Sequence, residues 1–200
     1  LSSSIGSLTN PLKLSKTFKS IKNKTISDKT ISNYIGYFED SFLISKAKRY
    51  DVKGKRYINS PLKYYFEDIG LRNARLNFRQ TEESHVMENI IYNELKLRGY
   101  NVDVGIVEVY ETDKKGKRNL KQYEVDFIAT QGDNKYYIQS ALEMNNEEKV
   151  KQERKSLVNI NDSFKKIIVV KDDVKPRKDD NGITTIGIFN FLLEENSLEL

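Results

Sequence analysis

The chain is predicted to be an α+β protein, and three observations predict it. Two helical stretches lead into a Lys- and Arg-rich hairpin over residues 1–70. A helix, three strands, a helix and a strand follow in that order from residue 83. Apolar residues make up 38% of the 200, with 12 Tyr and 9 Phe, enough for real cores, while 32% charged residues solvate the exterior. The predicted division is 1–70 and 71–200.

Asn10 is a helix cap and Pro11 fits the first turn that follows it. Leu12, Leu14, Phe18 and Ile21 are spaced to form the buried stripe of this helix. Ser27 caps a second helix, in which Ile31, Tyr34, Ile35, Phe38 and Phe42 recur at helical spacing. Thr30, Ser32, Asn33 and Tyr37 lie between them, with Asn33 placed to touch a groove. Leu43 to Tyr50 alternates as a strand, Asp51-Val52-Lys53-Gly54 turns, and Lys55 to Ile58 returns. Helix, helix, basic hairpin is the order of a winged helix-turn-helix. Its wing would carry Arg49, Lys53, Lys55 and Arg56 against phosphates. The same shape also serves as a packing module with no ligand. Asn59-Ser60-Pro61 breaks the chain, Lys63 to Asp68 reads as a short strand, and Ile69 to about Gln80 is a connection.

The second region opens with a helix from Glu83 to Arg98, stopped by Gly99. Strands are predicted at 102–110, 123–129 and 136–142, the first two joined by a charged turn around Lys114-Lys115. A charged helix covers 147–157. Ile167-Ile168-Val169-Val170 is a buried strand, 172–182 a polar loop, and 183–191 a closing strand and short helix. This order predicts a mixed-sheet α/β sandwich.

Composition excludes several chemistries. Zero Cys removes disulfides, thiol catalysis and thiolate zinc, and fits a cytoplasmic setting. A single His leaves no multi-histidine metal centre. No apolar run approaches the ~20 residues of a membrane-spanning helix, so no membrane partner is expected. Neither G-x-x-x-x-G-K-[ST] nor G-x-G-x-x-G occurs in this stretch. The chain opens on Leu1 without an initiator Met and reads as a fragment of a longer protein. Residues 1–70 hold 13 Lys and Arg against 6 Asp and Glu, whereas residues 71–200 hold 21 against 23. A basic front beside a near-neutral back points to an anionic partner for the front.

The chemistry-bearing pattern lies in the second region. Glu88 is helical and precedes Gly99-Tyr100 by eleven residues. Asp126 sits in Tyr123-Glu124-Val125-Asp126-Phe127-Ile128, and Gln139 follows thirteen residues later. Residues 84–170 resemble the PD-(D/E)xK nuclease superfamily, and both intervals match archaeal Holliday junction resolvases. The resemblance implies carboxylate slots at Glu88, Asp126 and Gln139, with the lysine slot at Ala141. Nucleases of this kind converge carboxylates on Mg²⁺ or Mn²⁺. Here an amide and a methyl fill two slots. The expected site is therefore vestigial, with Glu88 and Asp126 as metal ligands only if it is active. Glu143 lies on the strand face of Gln139 and is a candidate replacement acid. Lys149 or Lys151 is a candidate displaced amine.

The whole chain also resembles the C-terminal region of archaeal and bacterial AAA-type ATPases. The resemblance is carried by Ser7-Leu8-Thr9-Asn10-Pro11, Thr30-Ile31-Ser32-Asn33-Tyr34, Arg49 to Lys55, Lys63 to Asn73, Glu88 to Leu95, and Glu124 to Ile128. It implies a winged helix joined to a nuclease-like fold, with the ATPase module of the same parent chain as partner. The expected function is nucleic-acid binding beside a site that does not cut. A rearranged metal nuclease and a protein-docking module, to a client or to a second copy, are the alternatives. Residue by residue, simpler roles stand beside these. Glu88 on a helix is ordinarily solvent-facing, Glu94 is placed to pair with Arg98, Gln139 to bond a loop, and His85 to sit at a helix start. Asp126, between Val125 and Phe127, is expected to face away from both.

Overall fold

Local capping starts the first two helices where the sequence places them. In the computed structural model, which describes residues 1–79, 82–113, 116–144 and 146–200, Asn10 accepts the Lys13 N–H at 2.7 Å. This opens α1 (Pro11–Lys22). Ser27 accepts the Thr30 N–H at 3.0 Å and opens α2 (Asp28–Asp40). The buried stripe expected on α1 does not form. Leu12, Phe18 and Ile21 are exposed, and of this stripe Leu14 packs toward α2, because no element among the described residues covers the far side of this helix. On α2, Ile31 and Ile35 are buried, whereas Tyr34 and Phe38 stay exposed; Phe42, expected to continue the stripe, lies past the helix end and is exposed.

The hairpin is β1 (Ile44–Asp51) and β2 (Arg56–Phe66). The predicted break at Asn59-Ser60-Pro61 is an excursion inside one strand. Ala47 pairs with Lys63 and Arg49 with Ile58, so β2 runs five residues while β1 runs two. The N-terminal segment fills the excursion, with Thr9 exchanging backbone hydrogen bonds with Leu62 at 2.8 and 2.9 Å. The connection expected after residue 69 contains a further helix, α3 (Ile69–Arg75), capped by Asp68. Then come α4 (Glu83–Leu97), β3 (Asn101–Thr112), β4 (Arg118–Gln131), β5 (Asn134–Ala141), α5 (Glu147–Val158) and β6 (Lys165–Val170). The two-residue β7 (Arg177–Lys178) lies in the predicted polar loop, before β8 (Ile183–Gly187) and α6 (Ile188–Leu193). The predicted turn at Lys114-Lys115 and the end of the predicted connection at Gln80 lie outside the described residues.

The architecture is mixed α+β, with six α-helices and one eight-stranded sheet among the described residues. Strand order is β2-β1-β3-β4-β5-β6-β8-β7. The β1–β3, β5–β6 and β6–β8 pairs are parallel and the others antiparallel. The parallel pairing of β1 with β3 joins residues 1–70 to the rest in this one sheet. One face carries α4 over Ala47, Tyr65, Val104, Phe127 and Ile138. The other carries α5 over Val107, Val125, Ile128, Tyr137 and Ile168.

Two local devices set the site. Asp103 pairs with Ile128 and Gly105 with Val125, so β4 holds one extra residue between them, a β-bulge. A Cβ on Gly105 would meet that of Val125 at 2.9 Å, so glycine is what allows this approach. At the end of edge strand β2, the buried Asn89 of α4 acts as a neighbouring strand would. Its Oδ1 accepts the Phe66 N–H and its Nδ2 donates to the Phe66 carbonyl, both at 2.8 Å. Asn93 donates to the same carbonyl at 2.9 Å. The substitution Asn89→Leu therefore orphans the Phe66 N–H while its carbonyl keeps a donor. The expected cost is about 1–3 kcal/mol, read from urea unfolding, with Phe66 amide protection lost in hydrogen exchange.

Candidate functional site

Four side chains from three elements meet on the α4 face. Glu88 lies on the buried side of α4, between Met87 and Ile91 of the core stripe. Asp126 reaches this face because of the bulge. Val125 packs on the α5 side and Phe127 on the α4 side, and the extra residue turns Asp126 to the side of Phe127. Strict alternation had predicted that Asp126 faces away from both neighbours; the bulge overturns that for Phe127. Glu124 extends toward the same point from the strand entering the bulge.

The fourth member is Lys63 of β2, which sequence reasoning missed. Its Nζ lies 2.8 Å from Glu88 Oε1, 2.7 Å from Glu124 Oε1 and 3.8 Å from Asp126 Oδ1. Tyr65, two residues on and on the same strand face, donates its hydroxyl to Glu88 Oε1 at 2.6 Å. Asp126 Oδ2 accepts the Ser140 N–H at 2.8 Å. The N-terminal segment closes over the cluster. Gly6 adopts a positive φ of 69°, and a Cβ there would stand 3.1 Å from Glu88 Oε2. The one available signal was a lysine on the inward parity of an otherwise aromatic run, Lys63-Tyr64-Tyr65-Phe66.

Charge balance here is set by burial and proximity. Burial opposes the charge on Lys63, but Glu88, Asp126 and Glu124 together raise its pKa above that of an ordinary lysine. It is thus a fixed ammonium and not a nucleophile at neutral pH. Burial pushes the Asp126 carboxyl well above the usual carboxylate range. The charge of Glu88 adds to this push, while Lys63 and the Ser140 N–H oppose it. Burial and the adjacent Glu88 also raise the Tyr65 hydroxyl.

Gln139 does not join Glu88 and Asp126. It shares the parity of Tyr137 and Ala141, which pack toward α5. Its Nε2 donates to Glu153 at 3.3 Å, and Ser156 donates to its Oε1 at 3.4 Å. Ala141 is buried in that α5-side core. Glu143 is exposed, 3.9 Å from Lys149, and Lys151 pairs with Glu147 at 3.8 Å, both at the surface. Glu94 bonds Arg98 at 2.7 Å, and His85 sits in the first turn of α4, 3.2 Å from Glu82. Among the described residues, no group of three or more His, Cys, Asp or Glu stands in metal-holding geometry. The donor set does not fit the Mg²⁺ or Mn²⁺ of a cleaving site: an ammonium lies between the carboxylates, and the third slot has turned away.

The residues expected to meet nucleic acid divide in two. Lys53, Lys55, Arg56 and Asn33 are exposed. Lys53 reaches the Glu108 carbonyl at 2.6 Å, and Arg56 lies 3.5 Å from Asp51. A groove of about 610 Å³ at the hairpin tip is lined by Lys53, Arg56 and Arg118 beside Asp51 and Glu108. Arg49 is not on this surface. It is only 9% exposed, and its parity in β1 is that of the core residue Ala47. The pairing of β1 with β3 encloses it, so it is not available to phosphates from the wing.

Residues 1–82 match a family described as a domain of unknown function (DUF8612). An uncharacterized protein of Haemophilus influenzae is 35% identical over 194 residues, which is 97% of this chain and 44% of that protein. The uncharacterized protein MJ1544 of Methanocaldococcus jannaschii is 34% identical over 130 residues, 65% of this chain and 26% of that one. The chain thus spans less than half the length of these curated relatives. The crystal structure of protein VC1899 from Vibrio cholerae aligns with 94% of this chain and 51% of its own, at 16% identity and a TM-score of 0.41.

The raised carboxyl of Asp126 has a pH consequence. Its native pKa lies above the unfolded value, so its contribution to stability is full below the unfolded pKa and is lost as pH rises through the native one. Asp126→Asn keeps an acceptor for the Ser140 N–H and removes the titration. Calorimetry should show this variant melting above the natural protein at neutral pH, by roughly 2–4 °C for each ~1 kcal/mol of relief. The advantage should disappear near the ordinary carboxylate pKa of about 4.

Proposed function

We propose that this chain is a nucleic-acid-binding region of a longer AAA-type ATPase and that it grips its ligand without cutting it. The observation that carries this reading is the cationic surface of the first helices. Helix α1 holds Lys13, Lys16, Lys19 and Lys22 with no acidic residue. Lys24 and Lys29 follow, and Asp28 is the only acid before Glu39. Such a surface attracts a polyanion through the release of its counterions.

The winged-helix reading agrees with this placement. Asn33 is exposed on α2, and Lys53, Lys55 and Arg56 stand at the hairpin tip. Between helices and hairpin lies a groove of about 360 Å³, lined by Asn10, Ser32, Lys46, Lys48, Tyr57 and Asn59 among others. Lysines at the rim hold phosphates, and the amides and hydroxyls offer bonds to base edges. The nuclease-like reading of residues 71–200 is supported by the helix, three-strand, helix, strand order and by the meeting of Glu88 with Asp126. Gln139, Ala141 and Lys63 argue against cleavage at that site. The ATPase link rests on the sequence stretches above and on the greater length of the relatives.

Gel-shift titration of single-stranded, duplex and branched DNA at two salt concentrations tests the reading. If about four phosphates are neutralised, affinity should fall roughly a hundredfold between ~50 and ~200 mM salt. Joint replacement of Lys53, Lys55 and Arg56 by Ala should weaken binding about tenfold or more and flatten the salt slope by roughly three. The same DNAs with Mn²⁺ should remain whole. Binding that is absent, or indifferent to salt, refutes the proposal. Cleavage that disappears with Asp126→Ala refutes its second half.

A further inference from the structure

We infer that the groove at the hairpin tip is a site for unpaired nucleotides, in single-stranded DNA or RNA, where a base stacks on Tyr110 while Lys53, Arg56 and Arg118 hold the neighbouring phosphates. The inference rests on the nucleic-acid reading above and narrows it, from a polyanion to a strand with free base faces.

An open sheet face is the first argument. Val109 packs toward the α5-side core, so Glu108 and Tyr110, its neighbours in β3, turn to the α4 side. On β4, Glu124 reaches Lys63 on that side, and Gln122, Leu120 and Arg118 share its parity. The pairing agrees: Tyr110 stands opposite Leu120 and Glu108 opposite Gln122, whose amide donates to the Glu108 carboxylate at 2.9 Å. Helix α4 packs at the level of Val104 and Phe127. Toward the β3–β4 turn, Tyr110 and Leu120 are 63% and 47% exposed, so this end of the sheet keeps an aromatic and an aliphatic side chain in water.

Charge is the second argument. The β1–β2 tip stands beside this face, and its Lys53 reaches the Glu108 carbonyl at 2.6 Å. The groove between them, about 610 Å³, is lined by Lys53, Arg56 and Arg118 around Tyr110, with the acids Asp51 and Glu108. That is room for a nucleotide, since small-ligand sites run from ~300 to 1,000 Å³. Both acids are engaged. Asp51 accepts the Gly54 N–H at 2.9 Å and lies 3.5 Å from Arg56, and Glu108 takes the Gln122 amide. Three cations against two engaged acids leave the groove attractive to phosphate.

The ring itself is the third argument. The Arg118 guanidinium lies over Tyr110, 5.0 Å from the ring centroid, and braces it. The remaining exposure of Tyr110 leaves ring surface for a base. An aromatic ring in a cationic groove takes bases by stacking while the cations track the backbone, with little regard to sequence. A duplex keeps its base faces inside its own stack, so only unpaired bases meet the ring.

The test is fluorescence anisotropy of the full chain with labelled strands of about twelve thymidines or twelve uridines, and with a duplex of the same length. Tyr110→Ala should weaken single-strand binding about fivefold or more, because a stacked base is worth at least ~1 kcal/mol. It should leave duplex binding and the salt slope unchanged, since no phosphate contact is lost. Tyr110→Phe keeps the ring and should bind within about twofold of the natural chain. Arg118→Glu, at an exposed strand start, should weaken the single strand at least tenfold. The tighter of the two single strands identifies the source, DNA or RNA. Single-strand binding that Tyr110→Ala leaves intact overturns the inference, while the nucleic-acid reading survives; the groove then belongs to a different partner, such as a protein. Equal losses on duplex and single strand, or an equal loss with Tyr110→Phe, also overturn it. A natural chain that binds no strand and no duplex overturns both readings.

Discussion

The contact between the Lys63 ammonium and the carboxylates of Glu88, Glu124 and Asp126 ties together an edge strand, the helix above the sheet and a bulged inner strand. A lone charge in so dry a place costs several kcal/mol, so each member is tolerable only while the others hold position. This demand reaches the backbone. Lys63 must stay at the level of Ala47, and β2 reaches that level only through the excursion that Thr9 bridges. Gly6 then lies on Glu88, with its N–H donating to the Tyr64 carbonyl at 3.3 Å. The N-terminal segment, the edge strand and the acid cluster therefore form one cooperative unit. Removing the one cation, Lys63, leaves the buried acids unpaired and costs roughly 3–5 kcal/mol, whereas the intact cluster is near break-even against an apolar replacement.

Charge has two separate uses in this chain. Inside, one ammonium balances acids at short range, where low dielectric makes geometry decisive. Outside, the lysines of α1 and of the hairpin tip act through a field that salt screens over about 8–10 Å. The two uses explain why Arg49 and Lys63, both cationic residues of the basic first region, are buried while Lys53 and Lys55 are not. Net charge by region therefore describes the exterior only in part. Two of the thirteen cations in residues 1–70 face the sheet interior.

Helix starts were legible because a cap is a contact three residues long: Asn10 and Ser27 each accept the N–H predicted by their position, and Asn146, which the sequence analysis does not single out, does the same for α5. Strand order within 101–141 was legible for the same reason, since its hairpin connections are short. The apolar stripe of α1 misled, because periodicity shows that a face is suited to burial and not that anything is there to cover it. Glu88 and Asp126 were placed together by the resemblance to the nuclease superfamily, whose intervals they match. Gln139 was misplaced, because the extra residue in β4 changes which face Asp126 shares with its neighbours. The inward lysine was present in the sequence, but its partners lie 25 to 63 residues away.

By itself, then, the sequence determined most of the elements, the uneven charge and the absence of cysteine chemistry. Those depend on composition and on interactions within a few residues of chain. Only the tertiary structure decided which cation the acids face, that Arg49 is enclosed, and that the hairpin extends the same sheet as the second region. Those follow from the parallel β1–β3 pairing and the β4 bulge. Both are agreements between distant backbones, and a side-chain pattern of period two or 3.6 holds no record of them.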